Sequence, residues 1–373
     1  MSAITPSTMQ LNRLKWETTT EYNTGLDASF LKGKLRFTVD VYQKYIKDLL
    51  QKKVKMPTSI GYGNGYEVSY MNSGKMTNKG WEFRVDAVPF ENRDWRVGFY
   101  FNIAHNENKI TEMPDNYTEE NYTFNNGEYA YRREEGRPMG SFYGYRYKGV
   151  CQNKDATYAR DADGNVMKDI SGNAIVMRNG TATIAPGDAL YEDINHDGVI
   201  NQYDIVYLGN SNPRFTGGAG VNVSYKQFKL SAIFYGRYGQ DVVNSTRLNN
   251  ESMRGIDNQS TAVLRRWRNE GDQTDIPRAL YGEGYNTLGS DRFVEDASYL
   301  RLKSLSFNYR LPKKIIQRWG FSNIDVYVTG YNLFTWTKYT GQDPEVKTEN
   351  TYARDSATTP ASIQLVAGFN LSF

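Results

Sequence analysis

The last thirteen residues of the chain, 361–373, alternate in character along their whole length. Apolar side chains occupy every second position, and they are Ile363, Leu365, Ala367, Phe369, Leu371 and Phe373. Because successive side chains of a β-strand point to opposite faces, this segment has one apolar face. Its length is close to the roughly 9–11 residues with which a tilted strand crosses a membrane. By itself the segment fits both the last strand of a soluble β-sandwich and the closing strand of a membrane β-barrel.

The same period of two recurs along the chain and predicts an all-β protein. An amphipathic helix would place its apolar residues three and four positions apart instead. No run approaches the about 18 consecutive apolar residues of a membrane helix, so none is predicted. Short helical segments are predicted at 261–270 and 312–320. The predicted strands are 14–31, 34–45, 80–90, 95–105, 214–225, 228–238, 299–311, 323–334 and 361–373, with 141–147 as a further candidate.

The connections between the predicted strands alternate between short and long. The short ones are 31–33, 91–94 and 226–227, that at 312–323 is moderate, and the long ones are 47–79, 106–213, 240–297 and 336–360. Outer-membrane barrels have short turns on the periplasmic side and long loops on the outside. This asymmetry favours an antiparallel transmembrane β-barrel with long extracellular loops over a soluble sandwich. It also places Phe373 on the short-turn side.

The segment 106–213 is predicted to be a long extracellular segment. The strand before it leaves toward the long-loop side and the strand after it returns from that side. The segment must therefore contain an even number of wall crossings. Either it lies wholly outside the wall, or it contains one hairpin, of which 141–149 would form one strand.

Charge and rare residues exclude several classes of function. The 45 basic and 42 acidic residues nearly balance at a net charge of +3, which points away from a nucleic-acid partner. The single cysteine, Cys151, and the two histidines, His105 and His196, offer no cysteine or histidine metal cluster and no nucleophile–base pair. We therefore predict that the protein is not an enzyme. Residues 1–6 lack the pattern of a signal peptide, so we expect the N-terminal portion of a longer exported protein to be missing.

One segment within 106–213 carries a chemical motif, which matches the calcium-binding loop of helix–loop–helix proteins. Oxygen-bearing side chains stand at loop positions one, three, five, nine and twelve, a glycine stands at six, and position seven would supply its backbone carbonyl. The candidate Ca²⁺ ligands are Asp193, Asn195, Asp197, Val199, Asn201 and Asp204. Aspartate at position twelve is shorter than the usual glutamate, which disfavours bidentate binding. The alternative is a hydrated turn held by its own side chains.

Several segments in order resemble the SusC/RagA family of TonB-linked outer-membrane transporters from Bacteroidetes. They are Leu14–Glu17 before Tyr22–Asp27, Asn78–Glu82, Glu135–Tyr145, Gly187–Asp188 leading into the Asp193 loop, Tyr207–Asn210 with Pro213–Phe215, Ala297–Lys303, and Thr329–Phe334 before Gly341–Pro344. The resemblance runs over essentially the whole chain. It implies that residues 1–373 are the C-terminal part of a large barrel of roughly 20 or more strands.

The resemblance also implies a function, a location and partners. Members of the family lie in the outer membrane and import oligosaccharides or peptides with a SusD-like lipoprotein as a lid. TonB supplies the energy through an N-terminal region, and the plug domain and the TonB box are not found in this sequence. The residues that bind substrate are not identified by the sequence. The alternatives are a secretion or adhesion barrel and, less favoured, an outer-membrane hydrolase.

Overall fold

A computed structural model describes residues 14–55, 67–72, 74–113, 127–130, 133–346, 348–349 and 352–373. Its largest element is a nine-stranded antiparallel sheet in which each strand pairs with the next wall strand along the chain. We call this sheet the wall. Its strands are β1 (Thr18–Phe30), β2 (Leu35–Lys47), β3 (Lys75–Glu91), β4 (Trp95–Glu112), β5 (Phe215–Tyr225), β6 (Phe228–Tyr238), β7 (Tyr299–Arg310), β8 (Asn323–Thr337) and β9 (Gln364–Ser372).

The remaining elements are short and lie in the connections. Among the described residues, no helix is long and apolar enough to span a membrane. Two short α-helices are α1 (Ser245–Asn250) and α2 (Lys313–Ile316). The 3-10 turns are Leu31–Gly33, Lys154–Thr157, Gln202–Asp204, Thr261–Arg265, Tyr285–Thr287, Asp291–Phe293 and Gln317–Trp319. The short strands are Leu50–Lys55, Glu67–Asn72, Ser141–Gly144, Tyr147–Val150, Arg178–Asn179, Ala182–Thr183, Ala189–Tyr191, Val199–Ile200, Val206–Asn210, Asp241–Asn244, Val294–Asp296, Thr348–Glu349 and Tyr352–Asp355.

The strand register separates an apolar face of the wall from a polar one. Residues directly opposite each other on antiparallel strands project to the same face. One such row crosses six strands and consists of Phe369, Val326, Tyr309, Phe228, Tyr225 and Trp95. On the other face the Ser306 and Thr329 hydroxyls lie 2.8 Å apart, and Ser231 donates to Asn222 at 2.7 Å. A barrel wall with lipid on one side and a polar lumen on the other has this pattern, so we call the apolar face the outer face.

Aromatic residues mark the two ends of the outer face. At the short-turn end, the rings of Trp95 and Tyr225 are 4.3 Å apart. At the other end, Phe215 stacks on Tyr238 at 6.4 Å. Strand β5 spans 11 residues between these ends, which corresponds to a height of about 25 Å for a rise of about 3.4 Å per residue and a tilt of about 40°. That height equals the apolar band of about 25 Å between the aromatic girdles of outer-membrane barrels.

The predicted fold class and most predicted strands are confirmed, and several boundaries were wrong. The predicted loop 47–79 contains a hairpin, Leu50–Lys55 with Glu67–Asn72, that continues the ladder of β2 and β3 beyond the membrane; residues 56–66 and 73 lie outside the described residues. Strand β4 extends seven residues past its predicted end at residue 105. The predicted helix at 261–270 is only a 3-10 turn over Thr261–Arg265.

The segment 106–213 was predicted to contain an even number of wall crossings. Strand β4 pairs directly with β5, so the described part of that segment contributes no strand between them. The candidate wall strand at 141–149 instead forms two short strands. Ser141–Gly144 pairs with Val206–Asn210, and Tyr147–Val150 pairs with Ala189–Tyr191. Residues 106–112 belong to wall strand β4, and the described residues between β4 and β5 add no further wall strand.

The buried core of the described chain lies outside the wall. Its four apolar clusters are built from the long connections, and we call these connections the outer platform: the described residues of 127–212, 240–297 and 339–355. Its largest fully buried side chains include Phe142, Tyr143, Tyr145, Phe293 and Leu248. The wall sheet, by contrast, exposes large apolar side chains such as Leu365 and Phe369. The long loops thus hold the buried apolar clusters, while the wall presents its apolar surface to lipid.

Candidate functional site

A buried ion pair joins two of the long loops of the outer platform. Asp188 is fully buried, and Arg278 donates to it twice, from Nε to Oδ1 at 2.7 Å and from Nη2 to Oδ2 at 3.1 Å. The amide of Asn286 and the backbone N–H of Ala185 also donate to this carboxylate. The hydrogen bond to Asp188 raises the pKa of the Arg278 guanidinium. Loops nearly a hundred residues apart in sequence are thereby held in one orientation.

Neutral contacts extend the same connection to the third long loop. The Tyr191 hydroxyl accepts from the backbone N–H of Leu288 at 3.0 Å. The backbone N–H of Ala353 donates to Ser211 at 2.6 Å. Tyr352 packs on Phe142 with ring centroids 5.5 Å apart. The three long loops of the outer platform are therefore joined to one another.

A polar cluster fixes the platform to the inner face of the wall. Arg301 of β7 is 3% exposed and donates to Asp343 at 2.5 Å and to Glu345 at 2.8 Å. Lys303 donates to the same Glu345 carboxylate at 2.8 Å. Thr335 of β8 accepts from Arg301 Nε. The loop after β8 is thus held over the lumen by charge-assisted hydrogen bonds, which are stronger than neutral ones.

The calcium-type loop makes the sharp turn that its sequence predicts. His196 and Gly198 both have positive φ, at 56° and 79°. Asp193, at loop position one, accepts from the backbone N–H of Gly198 at 2.7 Å and of Asp197 at 3.2 Å. The chain therefore wraps around the first carboxylate, and a glycine stands where the backbone is left-handed.

The middle ligand candidates bond mainly to one another and to the loop backbone. Asn195 Nδ2 donates to Asp197 Oδ2 at 2.9 Å, and Asp197 Oδ1 accepts from the N–H of Val199 at 2.7 Å. Asn201 Nδ2 donates to the Val199 carbonyl at 3.0 Å, while its Oδ1 accepts from the N–H of Tyr203 at 2.9 Å. The structure thus brings these candidates together within one turn.

Asp204, at position twelve, closes the loop from a buried position. Its Oδ1 accepts from the N–H of Ile194 and its Oδ2 from the N–H of Asn201, both at 2.8 Å. Burial raises the pKa of Asp204, the two N–H donors act against this, and the nearby charges of Asp193 and Asp197 add to the rise. Among the described residues, no group of three or more Asp, Glu, His or Cys side chains is placed to hold a metal ion.

Two further aspartate turns, within the segment predicted only as a long connection, lie just upstream. Asp161 accepts from the N–H groups of Asp163 and Asn165, and Asp169 accepts in the same way from Ser171 and Asn173. Hydrogen bonds from the backbone, that of Asn165 first in one turn and that of Asn173 in the other, lower the pKa of both aspartates. The signal that could have revealed them is the repeated pattern of aspartate, two residues, glycine and asparagine.

Comparison with known proteins identifies the family to which this architecture belongs. Residues 3–333 match the family described as TonB dependent receptor-like, beta-barrel. The chain belongs to this family. It is 32% identical over 349 residues to TonB-dependent receptor P3 of Formosa agariphila, covering 91% of this chain and 32% of that protein. It is 27% identical to TonB-dependent receptor SusC of Bacteroides thetaiotaomicron, covering 96% of this chain and 32% of that protein.

Solved structures agree with this assignment. The structure of the RagAB peptide transporter matches with a TM-score of 0.70 and 27% identity over 96% of this chain and 36% of that one. The predicted resemblance to SusC/RagA transporters and the predicted location in the outer membrane are therefore confirmed, and the relatives are transporters and not enzymes. This receptor chain spans about a third of the length of the curated relatives that it matches.

Proposed function

We propose that the chain is the C-terminal part of the barrel of a SusC/RagA-type receptor, which imports oligosaccharides or peptides beneath a SusD-like lipoprotein. TonB would supply energy through a region outside this chain. The observation that carries the proposal is the similarity to the RagAB peptide importer in two states. The 'closed-closed' and 'open-open' forms match at 26% identity with TM-scores of 0.71 and 0.72. The polar inner face of the wall fits a transport lumen. The outer platform fits a base on which the lipoprotein lid would sit.

Uptake measurements with the full-length receptor test this proposal. A strain lacking the receptor is complemented with the wild-type gene or with a version from which the TonB-binding segment is deleted. We expect only the wild type to restore uptake of a labelled oligosaccharide pool or a labelled peptide pool. Equal uptake with both versions would contradict energised import. Uptake of only one pool would assign the substrate class.

The outer platform offers an exposed apolar patch for the lipoprotein. Ile256 is 93% exposed and Tyr281 is 79% exposed. The two belong to neighbouring turns, because the N–H of Gly282 donates to the Arg254 carbonyl at 2.8 Å. Two large apolar side chains on neighbouring turns would give the lipoprotein an apolar contact point, as contiguous apolar patches do at protein-binding surfaces.

We therefore expect the double substitution Ile256→Asp with Tyr281→Asp to weaken binding of the lipoprotein by about tenfold or more, since buried aromatic and aliphatic anchors dominate such interfaces. Trp319→Asp is the control, because Trp319 is 60% exposed in the turn after α2, at the opposite end of the wall. Co-purification of the lipoprotein with each receptor variant measures the effect. Unchanged binding by the double variant would place the interface elsewhere.

We also propose that the loop 193–204 binds Ca²⁺ weakly on the outside of the cell. The support is the positional match of the six candidate ligands together with the turn at Gly198. Asp193, Asp197 and Asp204 are close enough for their charges to interact. A cation between them would relieve this repulsion. A dissociation constant of roughly 10⁻⁴–10⁻³ M is sufficient for an extracellular site.

Asp197→Asn tests the calcium proposal with little disturbance of the turn, because the amide can still accept the hydrogen bond from Val199. In the wild-type receptor we expect millimolar Ca²⁺ to slow proteolysis within 190–210, and we expect Asp197→Asn to abolish most of that protection. Asp163→Asn, in the neighbouring exposed turn, is the matched control and should keep the protection. If Ca²⁺ alters neither cleavage nor thermal stability of the wild type, the loop is a hydrated turn.

A further inference from the structure

The outer face of the wall has a notch near its long-loop end. Gly217 of β5 lies directly opposite Gly236 of β6, and the register places both on the face that carries Tyr225 and Phe228. Two adjacent strands therefore contribute no side chain at this level. The full row across the wall reads Ile103, Gly217, Gly236, Leu300 and Trp336.

The surrounding side chains turn this notch into a groove of about 620 Å³. Strands of a sheet lie about 4.8 Å apart, so Ile103 and Leu300 stand roughly 14 Å apart across the two glycine strands. The Phe215–Tyr238 pair bounds the groove toward the long-loop side, and Trp336 lies beside it. The walls are mainly apolar, and the groove opens sideways toward the space that the bilayer occupies.

Lipid is the occupant that this position requires. The groove lies within the apolar band of an outer-membrane barrel, at the level of its outer aromatic girdle, so the outer leaflet covers it. A second barrel would present a convex wall, which would bridge the recess without filling it. A flexible acyl chain can enter it, because two neighbouring side chains of one row are missing there.

A polar pocket of about 600 Å³ continues the groove upward, and the two share Tyr238 and Asp296. Lys109 and Arg214 line this pocket, and Lys338 lines the groove beside it. All three cations are exposed, and none forms an ion pair within 4.0 Å with another residue in the part of the chain that the structure describes.

The carboxylates of the same pocket either accept hydrogen bonds from backbone N–H groups or lie at the edge of the pocket. Asp241 accepts from the N–H of Asn210 at 3.2 Å, and Asp296 accepts from the N–H of Ser298 at 2.8 Å. Glu107 is exposed at the rim. The pocket thus offers cations for phosphate together with acceptors for sugar hydroxyl and amide groups. This mixture suits a phosphorylated, acylated sugar better than a purely anionic ligand.

We propose that this surface binds one molecule of the phosphorylated glycolipid of the outer leaflet, lipid A. One acyl chain lies against Gly217 and Gly236, one phosphate lies near Lys109, and the other lies near Lys338. The lipid would then bridge the outer girdle of the wall and the base of the outer platform. The site faces away from the lumen, so it is separate from the path of the transported substrate.

The experiment uses the full-length receptor in detergent and native mass spectrometry, with diphosphorylated lipid A as probe and phosphatidylethanolamine as comparison. Lys109→Gln with Lys338→Gln removes the two cations, and Lys313→Gln with Lys314→Gln at the opposite rim is the matched control. Each lysine near a charged lipid surface contributes a factor of about five in binding, so we expect a loss of roughly 25-fold for the first pair only.

A second pair of variants tests the groove. Leu300→Trp narrows it, whereas Leu230→Trp makes the same change on the outer face near the other end of β6. We expect Leu300→Trp to reduce retention of lipid A and Leu230→Trp to leave it unchanged. The proposal is wrong if the wild-type receptor does not prefer lipid A to phosphatidylethanolamine. It is also wrong if both double-lysine variants lose lipid A binding to the same extent, or if cross-linking shows a second receptor bound to this face.

Discussion

Leu365→Arg is expected to destabilise the folded receptor by about 2–4 kcal/mol, the cost of a cation near the midplane of a lipid-facing barrel wall. Leu365 lies on the outer face of β9, directly opposite Gly330 of β8, and its side chain is 75% exposed on the wall. The glycine opposite it offers no side chain to shield the new charge. Urea unfolding of the full-length receptor in phospholipid vesicles measures the change in the free energy of unfolding.

Gln364→Arg is the control for this prediction, because it makes the same substitution one residue earlier on the same strand. Gln364 lies opposite Tyr331 and faces the lumen, where a guanidinium remains hydrated. We expect a change below about 1 kcal/mol there. A shift of one residue in register exchanges the two faces completely. Equal costs at the two positions, or a larger cost at 364, would therefore show that the register of β9 is wrong.

The wall could be predicted from the sequence because its signal is local. Membrane strands alternate with a period of two, and an error of one residue would place Leu371 or Phe369 in the lumen. The alternation ends where the strands leave the membrane, and there the prediction failed. Residues 106–109 read Asn, Glu, Asn and Lys and carry no apolar period, yet they continue β4 through backbone pairing with β3.

The core of the outer platform could not be predicted for a different reason. Its contacts join residues far apart in sequence, such as Asp188 with Arg278. The residue pattern of neither segment indicates which segment it contacts. Tyr145 and Tyr191 pack with ring centroids 5.6 Å apart although 45 residues separate them. A single sequence gives the composition of such a core and no information about which loop meets which.

The calcium-type loop could be predicted from the sequence only in part. Its spacing predicted the turn, and the positive φ of Gly198 confirms that part. Whether Asp204 serves a metal or the backbone depends on its burial, since both of its oxygens accept N–H donors within the loop. Burial is a property of the packed platform around the loop and not of the twelve-residue pattern.

Arg278→Ala is expected to destabilise the outer platform by about 3 kcal/mol. Removing one partner of a buried ion pair costs about 3–5 kcal/mol, because the other charge stays buried without compensation. The lower end applies here because Arg278 is 33% exposed in the side chain and Asp188 keeps the donors of Ala185 and Asn286. Hydrogen exchange of 185–190 and 278–288 in the full-length receptor reports the local free energy of opening.

Arg146→Ala is the matched control, since the Arg146–Glu192 pair lies in the same platform but is exposed. Such surface pairs contribute about 0–1 kcal/mol. The double variant Asp188→Asn with Arg278→Ala separates charge from packing. It removes the buried anion that Arg278→Ala would leave unpaired, so we expect it to be more stable than Arg278→Ala alone. If the double variant is the less stable of the two, the two residues hold the loops together mainly through packing, and the electrostatic account of the platform is wrong.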